Sequence, residues 1–164
     1  MDTMSATLLV VHHSPTRSMR ALLDACLDGA RDDAIEGVEV VVQDALEATA
    51  DDVLGADGYV LGTTANFGYM SGALKHFFDS TFLAVGGALG DDGQGAGSTG
   101  PKKPFGLYVH GRYDTTGAVR SVHGIVQALG WEQSFADVEV MGDVDPGAED
   151  RVRELGATLA ALLS

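Results

Sequence analysis

Thr7-Leu8-Leu9-Val10-Val11-His12, followed by His13-Ser14-Pro15-Thr16-Arg17-Ser18, is the stretch on which the fold turns. The first six residues, mostly aliphatic or β-branched, read as a strand. A polar loop with a proline then ends it. Beyond the loop, Met19, Leu22, Leu23, Cys26, Leu27 and Ala30 recur at helical spacing, with Arg20, Asp24, Asp28 and Arg31 on the other side. Strand, polar loop and amphipathic helix make the first half of a βαβ unit.

The same rhythm continues outward. Val38–Val42 reads as a second strand and Ala50–Leu54 as a weak helical turn. Gly58–Gly62 is a third strand, short and apolar as a strand buried on both faces should be. Thr63–Met70 is expected to be a loop, with Ser71 capping a helix that carries Leu74, Phe77, Phe78 and Phe82 inward. Phe105–His110 is a fourth strand, and Gly111–Thr116 a loop before a helix marked by Val119, Val122, Val126 and Leu129. Trp131 to Val140 holds a fifth strand, in one or two pieces, with Trp131 as its anchor. Val152, Leu155, Leu159 and Leu162 give a closing helix after Pro146. Strands alternating with helices call for a parallel sheet covered on both faces.

Composition narrows the function classes. The 164 residues suit one domain, 1–164, and 45% are apolar. A net charge of −14 repels phosphodiester backbones, so nucleic acid is not an expected partner. Only three lysines face seventeen aspartates, a bias that composition of the source explains as well as a docking partner does. The longest clean apolar run, Thr7 to Val11, cannot span a bilayer, and the N-terminal stretch does not read as a signal peptide. With Cys26 as the lone cysteine, an internal disulfide is impossible and a reducing cytoplasm is expected. Zinc-type spacing is absent and no metal is expected.

One segment departs from the rhythm. Gly86–Gly100 contains seven glycines in fifteen residues, so residues 86–103 are expected to form a flexible insertion. Within it, Gly95-Ala96-Gly97-Ser98-Thr99-Gly100 matches a dinucleotide fingerprint. That motif needs a strand before it and a helix after it. Neither is present, and Pro101 and Pro104 follow, so the match is an accident of glycine content. No Gly-Lys pair makes a Walker loop, and His12-His13 and Gly62-Thr63 stand where a receiver domain needs acids. No cysteine in the first loop supports a tyrosine phosphatase.

In a doubly wound sheet, ligands bind beyond the carboxyl ends of the strands, near the switch point. Three loops meet there. Residues 13–18 offer the hydroxyls of Ser14, Thr16 and Ser18 plus Arg17 at a helix N-terminus, where unpaired N–H groups and the dipole favour an anion. Capping by Ser18 would explain one hydroxyl but not three. Residues 63–70 set the small or amide residues Thr64, Ala65, Asn66 and Gly68 beside Phe67 and Tyr69, a composition that suits a flat ligand. Taken singly, Phe67 reads as core and Tyr69 as an ordinary half-buried tyrosine. Residues 111–117 pair Gly111 with Arg112, Tyr113 and Asp114; here Arg112 either favours negative charge on a ligand or merely pairs with Asp114.

The run Gly62-Thr63-Thr64-Ala65-Asn66-Phe67-Gly68-Tyr69-Met70-Ser71-Gly72-Ala73-Leu74-Lys75-His76-Phe77-Phe78-Asp79 resembles the ring-binding loop and following helix of flavodoxin-like FMN proteins. It is most similar to NAD(P)H-dependent FMN reductases and to the quinone reductases once called tryptophan-repressor-binding proteins. Lys103-Pro104, then a strand ending in Gly111, also matches that pattern. Threonine stands at position 64 where the pattern has proline, the first loop has His12-His13 and no glycine, and the loop after the fourth strand is short. The resemblance implies a flavodoxin-like three-layer α/β/α sandwich with a five-stranded parallel sheet in the order 2-1-3-4-5.

The resemblance also implies FMN as cofactor and NAD(P)H as co-substrate. Ser14, Thr16, Arg17 and Ser18 would then hold the phosphate. Thr64, Ala65, Asn66, Phe67, Gly68 and Tyr69 would meet the ring, and Gly111, Arg112, Tyr113 and Asp114 its pyrimidine side. The expected function is hydride transfer from NAD(P)H through FMN to a small acceptor, with no catalytic side chain required. Two alternatives are a flavodoxin-type carrier that sandwiches the ring between Tyr69 and Tyr113 and serves a redox partner protein, and a flavin-free regulatory or assembly member of the fold. A homodimer is a candidate assembly. His13 or His110 could sit near the ring as a proton donor, although a hydrogen-bonded histidine at a strand end is the plainer reading.

Overall fold

The computed structural model describes residues 5–85 and 102–164. The expected Gly86–Gly100 excursion therefore lies outside the described residues. Strand β1 (Ala6–His12) occupies the middle of a parallel sheet. Strand β2 (Val38–Asp44) pairs with one side of it and β3 (Gly58–Asn66) with the other. Strand β5 (Pro104–Gly111) follows β3, the short β4 (Tyr69–Met70) lying between them in sequence. The fifth position is shared by β6 (Glu132–Gln133) and β7 (Val138–Met141), both parallel to β5. The expected order 2-1-3-4-5 is thus present, its last strand in two pieces.

Alternating side chains divide the core into two layers. Leu8 and Val10 of β1, Val60 of β3 and Tyr108 of β5 pack under helices α1 (Arg17–Ala30) and α5 (Pro146–Leu163). Leu9, Val11, Leu61, Phe105, Leu107 and Val109 pack under α2 (Ala50–Leu54), α3 (Gly72–Val85) and α4 (Thr116–Leu129). Helices α1 and α5 approach through glycine: a β-carbon on Gly156 would lie 2.2 Å from the Cys26 carbonyl oxygen, and one on Gly29 1.9 Å from that of Arg153. On the opposite face Trp131 stacks on Tyr59 with centroids 3.8 Å apart, while the Tyr59 hydroxyl donates to the Val53 carbonyl at 2.7 Å. That stack is worth about 0.5–1.5 kcal/mol beyond its buried area and anchors the start of β6 as expected.

Several sequence expectations need correcting. The third strand does not stop at Gly62 but runs to Asn66, and the expected loop 63–70 is mostly a β-hairpin in which Asn66 pairs with Tyr69 and Ala65 with Met70. Helix α1 is capped by Thr16, whose Oγ1 accepts the Met19 N–H at 3.1 Å, and not by Ser18, which falls within the first turn. Ser71 does cap α3, accepting from the Leu74 N–H at 3.1 Å. Phe82, expected inward, is exposed near the end of α3. No helix among the described residues is long and apolar enough to cross a membrane.

Candidate functional site

The carboxyl ends of β1, β3 and β5 deliver three segments to one edge of the sheet. The first is His12 to Ser18. His13 N–H donates to the Gly62 carbonyl at 3.0 Å, so the loop leaves β1 pinned to its neighbour. His12 Nδ1 lies 2.8 Å from Ser14 Oγ. Pro15, Thr16 and Arg17 are exposed, and Ser14 and Ser18 half-buried. Helix α1 has no acidic residue in its first turn, leaving the positive end of its dipole uncompensated.

The second segment is the β3–β4 hairpin. Its two-residue turn, Phe67-Gly68, has φ of 51° and 77°, both left-handed, as a tight hairpin of this twist requires. Glycine adopts that conformation freely, whereas a bulky aromatic is strained there by ~1–3 kcal/mol. The Phe67 ring is also fully exposed, so neither its backbone nor its side chain is rewarded by the fold. The reading of Phe67 as core is overturned. Strain and exposure together make Phe67 a candidate for a functional position.

The third segment is Arg112 to Thr115, after β5. Asp114 Oδ1 accepts the Thr116 N–H at 2.9 Å, and that bond holds its carboxyl below the usual range. No Arg112–Asp114 ion pair forms. Thr115 Oγ1 donates to Glu139 on β7 at 2.7 Å, tying the segment down. A side chain at Gly111 would crowd Ala65 and Thr115 at 3.1 Å, so the floor between the two strands is kept to backbone and methyl groups.

Together these enclose a cleft of about 680 Å³, within the range of small-molecule sites. Thr16 lines it from the first segment, Thr64 to Gly68 from the second, and His110 to Asp114 from the third. Of the expected site residues, the structure brings ten to this cleft: Thr16, Thr64, Ala65, Asn66, Phe67, Gly68, Gly111, Arg112, Tyr113 and Asp114. Ser14, Arg17 and Ser18 flank Thr16 in the chain but do not line the cleft, nor does Tyr69; the aromatics that line it are Phe67 and Tyr113. His110 is a lining residue that the loop-by-loop reading left out of the binding set. Its Nε2 lies 2.6 Å from the Gly142 carbonyl, which can only accept, so that nitrogen holds a proton. Its place as the last inward residue of β5 was the available signal. Thr64 Oγ1 is buried and has no hydrogen-bond partner, a rare condition that calls for an explanation. Among the described residues no three His, Cys, Asp or Glu side chains converge as a metal site would need.

In overall shape the chain superposes on a flavodoxin from the domain Archaea with a TM-score of 0.75 over 96% of this chain and 98% of that one, at 15% identity. The chain has a flavodoxin-like fold. Two curated relatives extend the likeness to sequence. A flavodoxin of Aquifex aeolicus is 38% identical over 82 residues, 50% of this chain and 43% of that protein. An NAD(P)H dehydrogenase (quinone) of Acidithiobacillus ferrooxidans is 29% identical over 129 residues, 66% of this chain and 61% of that one. The flavodoxin-like chain thus spans less than two thirds of the length of either relative. No protein-family profile matches it.

Proposed function

We propose that this flavodoxin-like chain binds FMN in the cleft and works as an NAD(P)H-dependent oxidoreductase of the flavin- or quinone-reductase type, delivering electrons to a small acceptor. The observation that carries this reading is the cleft at the carboxyl ends of β1, β3 and β5, whose rim presents two exposed aromatics, Phe67 and Tyr113. A planar ligand would give the strained Phe67 ring something to stack on.

The residues present fit such a group. Ser14, Thr16 and Ser18, Arg17 and the free N–H groups opening α1 would hold a phosphate. The edges of Thr64 to Gly68 and of Gly111 to Asp114 would hold the ring system. Arg112 would favour negative charge beside it. When bound, the flavin supplies the hydride and electron chemistry. The chain's own residues bind, orient and exclude water, while Ala65, Gly68 and Gly111 keep the walls low enough for a nicotinamide to approach. The relative named as a quinone dehydrogenase supports this reading.

A carrier reading is favoured by two separate observations. The net charge of −14 suits long-range attraction to a basic redox partner protein, and the other relative is named a flavodoxin. A visible spectrum decides between them. FMN-loaded, desalted protein is mixed anaerobically with NADPH. Rapid bleaching of the bound band is expected; retained flavin that does not bleach would favour the carrier, and flavin lost on desalting would sink both.

A further inference from the structure

His110 is buried, 8% exposed, yet it lines the cleft at the carboxyl end of β5. Its Nε2 lies 2.6 Å from the Gly142 carbonyl oxygen, which can only accept. The ring hydrogen is therefore committed to Nε2, and in the neutral imidazole the other nitrogen, Nδ1, is left bare. Residue 142 is itself held against β5, because its N–H donates to the Gly111 carbonyl at 2.8 Å. No protein group among the described residues bonds Nδ1. In register beside His110 stand Thr64 on β3, whose hydroxyl has no partner, and Val140 on β7, which has no polar side-chain atom. Nor is Nδ1 fully buried: the fully buried side-chain N and O atoms that lack a partner, among the described residues, are the hydroxyls of Thr64 and Tyr108. An acceptor on a fixed ring, unused by the fold and reachable from the cleft, is available to a hydrogen that a ligand brings.

We infer that His110 is a specificity-determining residue of the cleft: its Nδ1 accepts a hydrogen bond from the bound flavin, so the site selects a ligand that carries a donor there. The inference rests on the FMN reading above. It reverses the role of proton donor expected for His110, since a neutral ring whose hydrogen is spent on Gly142 has none to give. Accepting at Nδ1 polarises the ring and strengthens the Nε2–H bond to the Gly142 carbonyl. The ligand and the connection between β7 and α5 thus hold the ring from both sides. Flavins carry two kinds of donor, the imide N–H of the ring and the hydroxyls of the ribityl chain. Phenylalanine at position 110 would keep the ring's bulk and remove the acceptor.

The test uses riboflavin, 3-methylriboflavin, whose imide hydrogen is replaced by methyl, and lumiflavin, which has no ribityl hydroxyls. Dissociation constants are measured by flavin fluorescence for the wild type and His110→Phe. The quantity read is each analogue's loss of affinity relative to riboflavin in the wild type, divided by the same loss in the variant. That ratio cancels the bulk of the methyl group and the missing chain. For one analogue it should be about three- to tenfold, the worth of one neutral hydrogen bond. If that analogue is 3-methylriboflavin the donor is the imide; if it is lumiflavin the donor is a ribityl hydroxyl. A ratio near one for both overturns the role of His110 while leaving flavin binding intact. Failure of every flavin to bind overturns the FMN reading and this inference with it. Should His110→Phe not fold, the nitrogen-15 spectrum of the wild-type ring settles the matter. Nδ1 should resonate as an unprotonated nitrogen in the flavin-free chain and move toward the N–H position when riboflavin is added. An unmoved Nδ1, or one that already carries a proton, overturns the proposal.

Discussion

At the scale of single residues, Thr64 carries a cost that a valine would not. Its hydroxyl is desolvated and unpaired in the free chain, a cost of ~1–3 kcal/mol. Valine has nearly the same shape without that cost. Thr64→Val should therefore raise the unfolding free energy of the flavin-free protein by about 1 kcal/mol in a urea titration. A destabilised variant would show that the hydroxyl has a hydrogen-bond partner in the folded chain. This cost was not legible in the sequence. The chain announces a threonine near a strand end; which hydroxyl lacks a partner depends on what every other segment brings to it. Phe67 was hidden for a related reason. Apolarity argues for core, and only the two-residue turn, which carries no Asn-Gly or Asp-Gly signature, places the ring at a tip in water. The hydroxyls of the first loop were legible because three of them cluster where a strand hands over to a helix.

Elements meet here through glycines, and three substitutions to alanine predict three different outcomes. A β-carbon on Gly117, in the first turn of α4, would lie 1.9 Å from the Gly68 carbonyl oxygen of the hairpin turn. Gly156 on α5 has the same relation to Cys26 on α1 at 2.2 Å, whereas Gly124 on α4 has nothing within 4 Å. Overpacking costs ~1–3 kcal/mol, more than the ~1 kcal/mol that alanine gains over glycine in a helix. Thermal unfolding should show Gly117→Ala and Gly156→Ala destabilised and Gly124→Ala stabilised. Only Gly117→Ala should also weaken flavin binding, since it displaces a wall of the cleft. Whereas the strand order followed from the family resemblance, the alternation of strands and helices could be read in advance because period-2 and period-3.6 patterns are local. The hairpin in place of a loop could not, because its pairing joins residues of small or mixed character that carry no alternation.

For the molecule as a whole, Cys26 reports on opening. It lies under α5 in the layer shared by α1 and α5, and burial pushes its thiol up to about 12. Between pH ~7 and ~9 almost none of it is thiolate in the folded chain, so an aromatic disulfide reagent should react only through unfolding. Labelling should be slow and independent of reagent concentration, and should slow further with FMN present by the factor that ligand binding adds to stability. Fast labelling of the native protein would place the thiol nearer the surface than the fold does. The contact between Gly117 and the Gly68 carbonyl has a wider meaning at this scale. The gauge of the cleft is set by main chain against main chain, with no side chain as spacer. Phe67, Arg112 and Tyr113 hang from that frame into solvent. Their identities are free to drift over generations, changing which partner is recognised while the gap that admits it keeps one width.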